Sequence, residues 1–123
     1  MENTGMTKFK IMLAAALLAA SSLHALSASE KEEEVASRSA AILLLAINKC
    51  GPSKFDSLRA MDQLDTVYSA TGVNPANYPE GEWTRKIFFT MSQTDFLRKV
   101  RDDDPPMVKA FCSSIAERFP NKD

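Results

Sequence analysis

The residues whose chemistry is easiest to bound are the chain's two cysteines, Cys50 and Cys112. A reactive thiol needs a neighbouring histidine or a C-x-x-C partner to lower its pKa. Neither accompanies them, and the single histidine, His24, lies far up the chain. Cys50 and Cys112 are therefore expected to form one structural disulfide, as an even pair does in an oxidising compartment. On the loop-entropy argument, tying two positions so distant restricts the unfolded chain by about 4 kcal/mol. That is a large share of the roughly 5–15 kcal/mol that stabilises a small domain.

Other reactive constellations are sparse. Carboxylates pair at Glu80 with Glu82 and at Asp62 with Asp65, but acid–base work of the glycosidase type needs two of them placed across a cleft. Ser53 and Lys54 are adjacent and point different ways at a helix start. Asp102-Asp103-Asp104 raises calcium, yet calcium loops alternate their oxygen ligands and carry a glycine and a distal glutamate. The run is followed instead by Pro105-Pro106, and an aspartate ahead of prolines is a helix-start signal. There is no glycine-rich phosphate loop, no H-x-x-x-H and no G-x-S-x-G. No catalytic residue, metal or cofactor is expected, and the chain is not read as an enzyme.

The cysteines draw meaning from the N-terminus. Lys8 and Lys10 precede an alanine-rich apolar stretch, Ile11–Ala20, and small residues follow up to Ala28. That is the anatomy of a secretory signal peptide, residues 1–28, with cleavage after Ser27 or Ala28. Met6 would serve as a start as well as Met1. A retained anchor is the rival, but the strongly apolar part falls short of the roughly 20 residues a spanning helix needs. Cleavage removes His24, and with it the commonest general base and metal ligand. It also removes Lys8, Lys10 and Glu2, so the net charge moves from −1 to −2. This balance gives no footprint for nucleic acid and no basic face for a membrane. The expected location is periplasmic or secreted, with no membrane span after cleavage.

Residues 29–123 must then position whatever does the work, as a single helical domain. Ser29 and Glu32 fit a capping box for a helix running through Ala40–Ile47, an unbroken apolar run, to about Cys50. A second helix is expected from Ser53 to Ala70, with Phe55, Leu58, Met61, Leu64, Val67 and Tyr68 as its stripe and Gly72 beyond its end. The prolines and asparagines of residues 73–81 are read as a loop without regular structure. A continuous or mildly kinked helix is expected from Glu80 or Gly81 to Arg101, the alternative being a break with Ser92 or Thr94 capping a new helix. The last helix carries Val108, Phe111, Cys112, Ile115 and Phe119 on one face and stops at Pro120. The fold expected is all-α, a small bundle of four or five short helices around a central apolar helix at about 36–50, stapled by one disulfide.

Such a protein is expected to act by non-catalytic binding to another exported or envelope protein. The candidate contacts are Tyr78 in the 73–81 loop, with Trp83 and Phe89 as aromatics that need not all fit inside. For Tyr78 the alternative is a plug folded back on the core. A second reading is a periplasmic acid-type stress chaperone. In size, helicity, single disulfide and lack of catalytic residues the chain resembles the small acid-stress chaperones of enterobacteria, though no motif aligns. That resemblance implies carboxylates neutralised at low pH and helices then exposed. A small-ligand carrier is the third reading.

Overall fold

The computed structural model describes residues 29–122, and the stretch read as a signal peptide lies outside them. Five α-helices and no strand are found among the described residues: α1 (Glu30–Leu45), α2 (Ser57–Thr71), α3 (Glu82–Met91), α4 (Asp95–Arg101) and α5 (Pro105–Arg118). The fold is the small helical bundle expected, and α1 is its centre, packed against α2, α3 and α4. Its inward face is built on Ala36, Ala40, Ala41, Leu45 and Ala46, all buried. Small side chains there let the neighbouring helices lie close.

The capping box forms as read. The Glu32 amide donates to Ser29 Oγ and the Ser29 amide to Glu32 Oε1, both at 3.1 Å. At the other end α1 stops sooner than its apolar run suggested, passing at Ala46–Cys50 into a π-helical turn. The extra residue in that turn re-phases the side chains beyond Ala46 and carries Cys50 to α5. There it is bonded to Cys112, 62 positions along the chain, with 5.5 Å between Cα atoms. Gly51 then leaves the turn at φ 93°, a conformation costly for any residue with a Cβ.

Three boundaries differ from those read in the sequence. Helix α2 opens at Ser57 and not at Ser53, with Asp56 Oδ1 accepting from the Arg59 amide at 3.1 Å. Residues 52–56 form turns because Phe55 is drawn fully inside, and the Asp56 amide is tied to the Phe119 carbonyl at 2.8 Å. Within 73–81, Pro75–Asn77 makes a short 3₁₀ turn, capped by the Asn74 side chain. The long third helix is two helices, broken at Ser92–Thr94, where Thr94 Oγ1 accepts from the Leu97 amide. The Ser92 and Gln93 amides bond back only three residues, to the Phe89 and Thr90 carbonyls, and Thr94 is extended at φ −115° and ψ 147°, so the ladder of α3 ends there. The new start lets both Met91 of α3 and Leu97 of α4 reach the core.

Two of aspartates 102–104 have side-chain partners. Asp102 pairs with Arg101, and that guanidinium holds its carboxyl below the usual range. Asp103 sits at φ 66° and accepts from Lys49 Nζ at 2.9 Å, fastening the α4–α5 corner to the π-helical turn. Asp104 is the N-cap residue of α5 by position, with Pro105 behind it, but its side chain makes no capping bond.

Candidate binding groove

On one side of α1 the structure is closed. Glu33 on α1 accepts from the Tyr78 hydroxyl through one carboxylate oxygen and faces Lys86 Nζ on α3 at 3.6 Å through the other. One turn on, the hydroxyls of Ser37 and Thr90 join α1 to α3 at 3.0 Å in a buried contact. Trp83 Nε1 donates to the Tyr68 hydroxyl of α2 at 3.1 Å. Its ring lies edge-on to Tyr68, with centroids 6.1 Å apart, and tilted over Tyr78 at 5.0 Å. Burial, then the hydrogen bond to Glu33 and the charges of Glu33 and Glu82, push the Tyr78 phenol well above its usual value of 10.0.

This network decides the aromatic residues singled out from the sequence. Trp83 is 7 % exposed and belongs to the core, so its reading as a surface contact is corrected. An indole with its N–H satisfied and aromatic rings on two sides has no reason to be outside. Tyr78 is half-buried and acts as a plug between the 73–81 loop, α1 and Trp83. Phe89 is 64 % exposed, at the edge of a shallow depression of about 530 Å³. Glu30, Lys31, Glu33, Glu34 and Lys86 also line it, so that surface is polar and carries both signs of charge.

On the other side of α1 the helices do not close. Helix α2 has α1 as its one substantial partner, while α5 packs on α4 and the π-helical turn. Between them lies a groove of about 400 Å³. Its floor is Ile42 and Leu43 of α1 with Ala46 of the π-helical turn. Ala60, Leu64 and Val67 form the α2 wall, and Phe96, Leu97, Phe111 and Ile115 form the α4–α5 wall. Phe55 and Phe119 close one end. Phe96 is 41 % exposed, so its ring stands at the mouth and leans toward Phe111, 6.2 Å away.

The charges on this groove have one sign. Arg38 of α1 and Arg118 at the end of α5 line it, and no aspartate or glutamate does. The Arg118 guanidinium stands 5.7 Å from the centre of the Phe119 ring, as does that of Arg59 from α2. Arg38 meets Glu34 only at 3.9 Å, in a pair exposed on both sides. Such a pair is worth little in water.

The carboxylates weighed for acid–base work do not converge here. Asp62 and Asp65 are exposed on α2, away from the groove lining. Among the described residues no three potential metal-ligating side chains gather, and no helix is long and apolar enough to cross a membrane. No protein-family model matches the chain, and no match is found among curated proteins or solved structures.

Proposed function

We propose that this is an exported protein, periplasmic or secreted, which acts without catalysis by binding another envelope or exported protein. The groove between α2 and α4–α5 is the surface that engages it. One observation carries this reading: an apolar trough floored by the central helix is left open, while the opposite side is tied by hydrogen bonds and carries only a shallow polar depression. A groove lined by apolar side chains with charged groups at its margin has the make-up of a partner-binding surface, an apolar centre within a polar rim. The disulfide supports the export reading, since such bonds persist in oxidising compartments.

The test is cross-linking of the oxidised protein in its own envelope extract at neutral pH, beside the Phe96→Ser variant. One dominant adduct, lost in the variant, is the expected result. A spread of unrelated proteins that grows on acidification and ignores Phe96→Ser would overturn it in favour of the acid-type chaperone.

A further inference from the structure

The groove's chemistry also says what kind of segment it takes. We infer that the groove between α2 and α4–α5 binds an acidic amphipathic helix of its partner, laid lengthwise over α1 with carboxylates meeting Arg38 and Arg118. This rests on the groove being the binding surface, as proposed above, and goes on to fix the occupant.

Shape is the first argument. Most of the lining comes from helices, Ile42 and Leu43 of α1 below and residues of α2, α4 and α5 at the sides, so the groove lies where a further helix would pack. A helix presenting apolar residues at i, i+3, i+4 and i+7 fills such a space and completes the bundle. A small apolar ligand would sit with one flank in water, whereas such ligands are usually enclosed over most of their surface.

Charge is the second argument, and it sets the sign. The chain carries more acidic than basic residues, yet the groove is lined by two arginines and no acid. The arginines come from different elements, Arg38 from α1 and Arg118 from the end of α5, so they mark two points on the rim. Guanidinium groups suit carboxylates through paired donors. A basic helix would meet repulsion at both points. The depression beside Phe89 lacks this bias, since Lys31 and Lys86 share it with three glutamates.

The test uses a panel of helical peptides with leucine at i, i+3, i+4 and i+7. Each is made in two forms, with glutamate or with lysine on the flanks, and titrated into the oxidised protein by amide NMR. The expected result is binding of glutamate forms, with shifts clustered at Ile42, Leu64, Phe96 and Phe111. Affinity should be about tenfold lower for the lysine forms, in line with rim charges that set specificity. The surface double variant Arg38→Glu/Arg118→Glu should reverse that preference while keeping the wild-type spectrum elsewhere. Groove shifts with equal affinity for both forms would overturn the acidic occupant and leave the groove reading standing. Absence of groove shifts with every peptide would overturn both. Displacement of the glutamate peptide by dodecanoate at lower concentration would hand the groove to a single-chain amphiphile, and a concentration-dependent dimer that hides it would hand it to a second copy.

Discussion

The two sides of α1 are built from different residue types and end in opposite states. Toward α3 and the 73–81 loop, polar tips on Glu33, Ser37, Tyr68, Tyr78 and Thr90 find partners, and Trp83 fills the space among them. Toward α2 and α5, the side chains that meet are apolar, the polar groups stay at the rim, and a gap remains. Closed regions of a small domain carry its stability. A gap kept open beside them is a place where stability can be given by something else. Substitutions on the two sides should therefore separate stability from binding.

The largest effect belongs to the bond that holds the frame of both sides. Reducing Cys50–Cys112, or replacing both by serine, should cost about 4 kcal/mol on the loop-entropy argument. Thermal melts with and without reductant will show it as a large drop in Tm. Next comes Trp83→Ala, which empties the closed side. It should cost about 3 kcal/mol or more, as buried aromatic truncations do, and denaturant titration measures it. By contrast, Phe96→Ser at the mouth of the groove, where the ring is partly exposed, should cost less than Trp83→Ala in the same titration, while abolishing partner capture.

Tyr78→Phe sharpens the comparison through pH. It removes one hydrogen bond to a charged acceptor, worth roughly 1.5–3 kcal/mol. The Tyr78 phenol ionises later in the folded protein than its usual 10.0, so its stabilisation is complete below pH 10 and fades as pH rises from there toward the folded value. Melts between pH 8 and 11 should show wild type losing its advantage over Tyr78→Phe only at the alkaline end. The smallest effect is Phe89→Ser, expected within about 0.5 kcal/mol of wild type because the ring is already in water.

The frame was legible because its signals are local or forced. Ser29 and Glu32 read as a capping box and form one. Two cysteines without a histidine admit few outcomes, and the pairing follows. The break at Ser92–Thr94 was legible as an alternative, since Ser92 and Thr94 both read as capping residues, and Thr94 is the one that caps. The groove was hidden by a spacing that looks like a single stripe. Steps of three from Leu58 through Met61 and Leu64 to Val67 wind around a helix, and nine residues turn it through about 180°. Leu64 and Val67 thus line the groove, while Leu58, 72 % exposed, stands on another flank. Arg38 and Arg118 are 80 positions apart in the numbering and carry no mark of belonging together. Only the return of α5 toward the start of α2, fixed by the Asp56–Phe119 bond, brings them to one rim.

The most direct test of this division places a photo-reactive side chain at Gln63, on the groove wall, and in a second variant at Phe89, on the opposite surface. Both oxidised proteins are irradiated in their native envelope. A single dominant adduct from position 63 and none from position 89 is the result the account requires. Adducts from position 89 with none from position 63 would contradict it, and would return recognition to the side of the molecule that the structure shows braced.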